Sequence, residues 1–405
     1  MPTSRREFLS VAGLSFVSLG AWAPRFLAQA AQAAEAAAST NRVLVVVELS
    51  GGNDGLNTVI PFENDLYHRN RRALRIPKES VHRLNDQVGL HPSFAAFAEL
   101  YKEGRLAVIQ GVGYPEPDRS HFRSMEIWHT ASTKKLPPDT GWLGRTLDQI
   151  PGAERDGNIP GLALTSSLPQ ACLAGKAVVP VVGELEAFAS AEQPDQKEIA
   201  LRRKLSTATG SANRPVTFLR SQAAAVYRTV DKFKAAADKY KSSIEYPGSS
   251  LGQQLKRAAQ ILAGELGVRV MFVSQDGYDT HSNQAEQHSG LLADLAGSIA
   301  AFGRDLRGLG LENRVATLIF SEFGRRVDEN ASAGTDHGAA SCLFVAGAGI
   351  QGGLHGEYPK LDKLDEGDLI FNTDFRSVYA ALLEKWLGCD SKAILGAEFP
   401  HLKLV

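Results

Sequence analysis

The chain has 405 residues and a formal net charge of −1, with hydrophobic residues at 43% and charged residues at 22%. This composition is typical of a globular protein, and the length is enough for one large domain or two smaller ones. A net charge this close to zero gives no electrostatic reason to expect nucleic acid or an anionic membrane as a partner.

The first 38 residues have the features of an export signal. Arg5 and Arg6 precede an apolar stretch at 11–22, and an alanine-rich run at 28–38 offers small-residue cleavage sites. The apolar stretch is too short to span a bilayer, which needs about 20 residues. The arginine pair favours export of the folded chain to the periplasm or beyond by the twin-arginine machinery. The alternative is an amphipathic surface helix, and no membrane span is expected in the mature chain.

The remainder, residues 39–405, alternates strand patterns with helical patterns. Apolar runs predict strands at 42–49, 106–112, 178–182, 268–273, 315–320 and 342–345. Helical periodicity predicts helices at 92–104, 251–266, 291–309 and 375–387. This alternation indicates a single α/β domain with a largely parallel central sheet flanked by helices. The stretch at 184–246 lacks a strong strand pattern, and we expect a helical insertion or cap there.

Polar clusters lie next to the predicted strands, where open α/β sheets bind their ligands. Four follow a strand, and the fifth immediately precedes the strand at 342–345. They are Asn53-Asp54, Asp118 to His121, Asp276 to His281, Ser321 to Arg325, and Thr335 to Gly338. Each has a local alternative, because Asn, Asp and Gly suit turns, Asp118 can cap a helix, and Glu322 can pair with Arg325.

Taken together, the clusters predict a metal site. Asp and His ligands suit divalent ions such as Zn²⁺ or Mn²⁺, and several strand-end loops can converge on one or two ions. Ser120, at a helix start, gains backbone N–H groups when an anion binds, and Arg119 can hold that anion as a two-pronged donor. The three cysteines, Cys172, Cys342 and Cys389, form no CxxC motif and are expected to be small buried residues.

The motifs resemble a bacterial family known as domain of unknown function 1501. The matching segments are residues 51–57, 119–122, 279–281, 321–325 and 334–338, and the leader fits the family as well. That family is similar to the alkaline phosphatase and sulfatase superfamily. The resemblance implies a metal site on strand-end loops and hydrolysis of phosphate or sulfate esters.

Residue by residue, the resemblance implies a nucleophilic hydroxyl at Ser120 and an anion clamp at Arg119 or Arg325. The implied metal ligands are Asp54 (or Asn53), Asp279, His281, Glu322, Asp336 and His337. The ions considered are Zn²⁺, Mn²⁺ and Ca²⁺. The spacing departs from the superfamily pattern, because Asp279 and His281 are two positions apart rather than four. The Asp-His-Gly sequence also lies at Asp336 instead of directly after a strand.

Two functions of different classes therefore stay open. The first is a metal-dependent hydrolase acting on a small anionic ester or a polysaccharide. The second is a non-catalytic exported protein that binds a periplasmic partner or polysaccharide on the same scaffold. The departures in motif spacing favour the second, and the convergence of acids, imidazoles and a hydroxyl favours the first.

Overall fold

The computed structural model describes residues 41–152, 159–182, 204, 231–232 and 235–405. The leader at 1–38 and most of the predicted insertion at 184–246 lie outside these residues. The strands are β1 Val43–Ser50, β2 Val59–Ile60, β3 His82–Arg83, β4 Gly89–Leu90, β5 Leu106–Gly113, β6 Gly161–Ala163, β7 Val270–Asp276, β8 Val315–Ser321, β9 Ser341–Ala346, β10 Gly353–His355, β11 Leu364–Asp365, β12 Asp368–Leu369 and β13 Thr373–Asp374.

The α-helices are Asp65–Asn70, Ala95–Lys102, His121–Thr130, Trp142–Gln149, Ser250–Ala263, Gln284–Gly308, Phe375–Ala381 and Ser391–Leu395. Short 3-10 turns occupy Gly55–Asn57, Pro92–Phe94, Gln170–Cys172 and Glu312–Arg314, and a π-helical segment, Leu382–Leu387, continues the Phe375 helix. None of the helices in the described part of the chain is both long and apolar enough to cross a membrane.

The central sheet has the order β10-β5-β9-β8-β1-β7-β6, and β13 also pairs with β5. Strand β9 is antiparallel to both of its neighbours, whereas the other pairings within this sheet are parallel. The predicted α/β fold with a largely parallel sheet is therefore confirmed.

Strand β1 shows why this sequence lies at the centre of the sheet. Val43, Val45 and Val47 pack into one hydrophobic cluster with the helices Ser250–Ala263 and Gln284–Gly308. Leu44 and Val46 pack into the cluster on the opposite face, with the helices that carry Trp128, Trp142 and Tyr379. Burying each Val or Leu contributes roughly 1.5–3 kcal/mol, so a run that is apolar on both faces stabilises only a central strand.

The reversed strand decides where the polar clusters meet. Strands β1, β5, β7 and β8 share one direction, so the loops after them leave the same edge of the sheet. Because β9 runs the other way, the loop that precedes it, residues 334–338, reaches that edge too. All five polar clusters therefore lie at one edge.

The strand predicted at 178–182 is absent, and β6 takes the sheet edge instead. Val181 makes only an isolated bridge to Ala163, and the Pro180 carbonyl accepts a hydrogen bond from the Ala163 N–H. Proline has no N–H to donate, so a ladder cannot continue through this segment.

Cys172 and Cys342 are buried and Cys389 is half-buried, and all three are free thiols.

Asp54 holds the base of the loop after β1. Its side chain and that of Arg71 are both 0% exposed, and Arg71 Nη1 lies 2.5 Å from Asp54 Oδ2. Gln284 and the Asn57 N–H also donate to this carboxylate. Burial alone would raise the pKa of Asp54, but the charge and hydrogen bond of Arg71, together with the charge of His288 and the hydrogen bond from Gln284, lower that pKa.

Replacing Arg71 tests this buried pair. Arg71→Met leaves the Asp54 charge uncompensated, and we expect the free energy of unfolding to fall by about 3–5 kcal/mol. Adding Asp54→Asn should recover part of the loss, because the amide carries no charge. Urea unfolding measures both. The control is Arg69→Met, whose exposed pair with Asp65 contributes little. Equal effects of Arg69→Met and Arg71→Met would contradict this account.

Candidate metal centre

Two glycines allow the loops at the sheet edge to pack against each other. Gly51 follows β1 with φ +116°, and a Cβ there would lie 2.4 Å from the Asp279 N atom. A Cβ on Gly334 would lie 2.2 Å from the His281 carbonyl carbon. Only glycine permits both approaches, which bring the loop after β7 against the loops after β1 and before β9.

Three imidazoles surround the Asp279 carboxylate. Oδ1 of Asp279 lies 3.0 Å from His281 Nε2 and 3.2 Å from His337 Nε2, and Oδ2 lies 3.6 Å from His121 Nε2. The Nε2 atoms of His281 and His337 are 2.9 Å apart. His281 and Asp279 are exposed and His121 and His337 are half-buried, so the group opens to solvent.

Each imidazole is held at Nδ1 by a group that accepts a hydrogen bond. His121 Nδ1 donates to Glu322 Oε1 at 2.8 Å, His281 Nδ1 to Asp336 Oδ1 at 3.1 Å, and His337 Nδ1 to the Arg119 carbonyl at 2.8 Å. Carboxylates and carbonyls accept and cannot donate, so in the neutral rings the proton sits on Nδ1. The lone pairs of all three rings are then at Nε2, facing Asp279.

The unpaired atoms of this group fit a cation. His121 Nε2 is buried and has no hydrogen-bond partner among the described residues. The facing lone pairs of His281 and His337 also repel each other unless a positive charge lies between them. Bonds of about 2.0–2.1 Å in a tetrahedral zinc site place neighbouring ligand atoms roughly 3.3 Å apart. Asp279 Oδ1 and the Nε2 atoms of His281 and His337 lie 2.9–3.2 Å from one another, close to that separation, and His121 Nε2 lies 3.6 Å from Asp279 Oδ2.

Neighbouring groups shift the pKa values of His121 and Asp279. The hydrogen bond that His121 donates to Glu322 raises the pKa of His121, because an accepting carboxylate increases the basicity of the imidazole. Burial alone would raise the pKa of Asp279, but the hydrogen bond and charge of Arg325 hold it at about 2. Asp279 is therefore ionised at any physiological pH. Ligand atoms of His121, Asp279 and His337 all lie within 4.8 Å of one another, and His281 Nε2 lies 3.0 Å from Asp279 Oδ1 and 2.9 Å from His337 Nε2.

The family of the chain can now be stated. A family model described as "Protein of unknown function (DUF1501)" matches residues 41–384. The chain belongs to this family. The resemblance recognised from the motifs is thereby confirmed. The four residues of the candidate metal site, His121, Asp279, His281 and His337, are called the metal group, and they come from three of those motifs. Among curated proteins no relative matches the sequence.

Solved structures similar to this DUF1501 chain are distant in sequence. The sulfatase PsFucS1 from Pseudoalteromonas sp. has 9% identity and a TM-score of 0.41, covering 92% of this chain and 74% of that one. The lipoteichoic acid synthase LtaP from Listeria monocytogenes has 9% identity and a TM-score of 0.38, covering 88% and 76%. An alkaline phosphatase superfamily protein from Vibrio parahaemolyticus has 8% identity and a TM-score of 0.35, covering 88% and 69%.

The six ligands expected from the sequence take three different places in this DUF1501 chain. Asp279, His281 and His337 lie in the metal group. Glu322 and Asp336 lie one layer out, because each accepts a hydrogen bond from the Nδ1 of a ligand imidazole. Asp54 lies away from the ion-binding atoms, since Arg71, Gln284 and Asn57 use both of its oxygens.

Both arginines expected to clamp an anion are engaged within the protein. Arg325 is buried, donates to the carbonyls of Gly51, Gly52, Tyr278 and Thr335, and binds the Asp279 carboxylate at 2.6 Å. Arg119 binds Asp368 Oδ2 through two nitrogens, at 2.6 and 2.7 Å. Their role as an anion clamp stays a prediction.

Ser120 occupies the predicted helix start, and the residue after it is a candidate ligand that was not predicted from the sequence. Ser120 is the exposed N-cap residue of the helix His121–Thr130, and its side chain makes no capping hydrogen bond. His121, the first residue of that helix, supplies an Nε2 to the metal group. It stood within the 119–122 motif, and a histidine next to a strand-end hydroxyl was the signal that could have identified it.

Proposed function

We propose that the chain is an exported metal-dependent hydrolase of phosphate or sulfate esters. It would hold one divalent cation between His121, Asp279, His281 and His337. The observation that carries the proposal is the convergence of three oriented imidazole Nε2 atoms on one ionised carboxylate, with His121 Nε2 unpartnered. The distant sulfatase and phosphatase folds agree with this assignment but do not carry it.

Zinc is the ion that this ligand set favours. Three nitrogens and one carboxylate oxygen match the borderline ligands of zinc sites, whereas calcium prefers six to eight oxygens. A bound divalent cation would supply Lewis-acid stabilisation of negative charge on an ester and its attacking oxygen. Glu322, Asp336 and the Arg119 carbonyl would keep the three imidazoles oriented for it.

Ser120 is the proposed nucleophile. It directly precedes the ligand His121, and its hydroxyl is exposed and unused in capping. The first-turn N–H groups of the helix His121–Thr130 favour an anionic group near this hydroxyl. In the proposed step Ser120 Oγ loses its proton to solvent and bonds to phosphorus or sulfur, and the alcohol leaves with a proton. Water then cleaves the seryl ester.

A second candidate, a non-catalytic binding protein, is favoured by one observation. The two arginines expected to hold a substrate anion are both engaged within the protein. Such a protein would keep the metal for stability and recognise a periplasmic partner. It differs from the first candidate in needing no free hydroxyl at Ser120.

Metal analysis tests the ion. Protein purified without chelators should contain about one zinc per chain, measured by mass spectrometry. His121→Ala, His281→Ala and His337→Ala should each weaken zinc binding strongly, and Glu322→Gln should weaken it roughly 10–100-fold by freeing the His121 ring. His355→Ala is the control, because that imidazole lies outside the group and contacts the Gln351 carbonyl. Metal-free protein that ignores added Zn²⁺ and Mn²⁺ would refute the proposal.

Turnover tests the nucleophile. Ser120→Ala should lower hydrolysis of 4-nitrophenyl phosphate or sulfate by at least roughly 100-fold while zinc content stays unchanged. Ser132→Ala, just beyond the other end of the same helix, should leave turnover unaltered. Zinc-loaded protein that hydrolyses neither ester, and that retains a stoichiometric partner after Ser120→Ala, would instead support the binding protein.

Fractionation tests export. Replacing Arg5 and Arg6 by lysine should hold the full-length chain in the cytoplasm, because the twin-arginine route reads the arginine pair. Immunoblots of periplasmic and cytoplasmic fractions measure the change. The control is Arg25→Lys, which lies outside the pair. Normal export of the doubly substituted chain would exclude this route.

A further inference from the structure

A cavity of about 660 Å³ lies directly behind the metal group. Glu322 and Phe323 form part of its wall. Glu322 is the carboxylate that holds His121, and the Phe323 ring lies 4.9 Å from the rings of both His121 and His337. The cavity and the metal group therefore share a wall, although none of the ion-binding residues lines the cavity.

The lining of this cavity is strongly acidic. It includes six carboxylates and a single basic side chain, Arg119, which is already bound to Asp368. The six are Glu116, Asp118, Glu322, Asp365, Glu366 and Asp368. Carboxylates around a concave surface with a low-dielectric protein wall focus a negative potential inside the cavity. That potential attracts cations and repels anions.

Two buried polar groups of the lining lack a hydrogen-bond partner among the described residues. Asp368 lines the cavity with a side chain only 4% exposed, and its Oδ1 accepts no hydrogen bond. Arg326 Nε lies 3.9 Å from that oxygen. Trp128 also lines the cavity, and its indole N–H has no acceptor. Burial raises the pKa of Asp368, a cost that a cationic ligand would relieve.

The arrangement of the carboxylates does not favour a second metal ion as the occupant of this cavity. The six carboxylates do not form a group close enough to share an ion in the described part of the chain. The lining also includes aromatic and aliphatic residues, among them Tyr114, Leu369, Ile370 and Phe371. Carboxylates that are spread over an apolar surface suit a weakly hydrated organic cation better than a compact, strongly hydrated metal ion.

We infer that this cavity is a binding subsite for an organic ammonium group. The ammonium group is either the far end of the ester substrate or a separate ligand. The substrate role rests on the proposed function, whereas binding of the cation does not. A substrate that places its phosphate or sulfate at the metal group and its ammonium in the cavity would have opposite charges at its two ends.

Calorimetry with choline tests the cavity by itself. Choline should bind the purified protein, and its neutral isostere 3,3-dimethylbutanol should bind at least about tenfold more weakly. The variant Glu116→Gln/Asp365→Asn should lower choline affinity by about three- to tenfold, because each exposed charge contributes modestly. The matched control is Glu79→Gln/Asp86→Asn, which changes the net charge equally outside the cavity. All four carboxylates are exposed and form no ion pair among the described residues.

A pair of esters then separates the two sources of the ammonium group. If it belongs to the substrate, kcat/KM for 4-nitrophenyl phosphorylcholine should exceed, by about tenfold, that for the matching phosphodiester whose choline is replaced by the uncharged 3,3-dimethylbutyl group. Glu116→Gln/Asp365→Asn should reduce that preference. Choline binding without an ester preference identifies a separate ligand. Equal binding of choline and dimethylbutanol, or equal losses in the two double variants, overturns the inference. Absence of all turnover defeats the proposed function alone.

Discussion

The metal group depends on one buried guanidinium. Arg325, which follows β8, donates to carbonyls of the loops after β1, after β7 and before β9, and it binds Asp279 as well. A buried arginine is costly unless all of its donors are used, and here the three loops supply the acceptors. The same bonds fix the separation of Asp279 from His337. The requirement to satisfy one interior charge thus sets the geometry of a site at the surface.

The fold follows from the sequence wherever burial is symmetric. The central strands β1, β5, β7, β8 and β9 were predicted from apolar runs, because a strand buried on both faces carries a continuous signal. Short edge strands such as β6 and β10 carry only three residues each and leave no such signal. At 178–182 the apolar residues suggested a strand, but Pro180 has no backbone N–H to donate to a neighbouring strand. Counting apolar residues alone does not take that missing donor into account. The direction of β9 was also beyond the sequence, since periodicity is the same for either direction.

The candidate site was predictable as a set of loops and less so as a set of roles. Asp279, His281 and His337 meet because their loops share one sheet edge, and that much follows from strand order. Whether a carboxylate is placed to ligate an ion or to orient an imidazole depends on a few ångströms. Glu322 lies at the Nδ1 side of an imidazole and Asp279 at the Nε2 side. Asp54 could not be separated from the ligands in advance, because its partner Arg71 lies in a segment without a distinctive pattern.

Two adjoining regions of opposite potential explain how one edge of the sheet could orient a ligand. With a divalent cation bound, the charge of the ion outweighs the single carboxylate of Asp279, since the three imidazoles are neutral. Behind Phe323 the sign reverses, because six carboxylates face one guanidinium. An anionic group would be drawn to the imidazole side and a cationic group to the cavity. The pairing of Arg119 with Asp368 supports this division, because it uses the one guanidinium of the lining that could otherwise offer an anion a competing position.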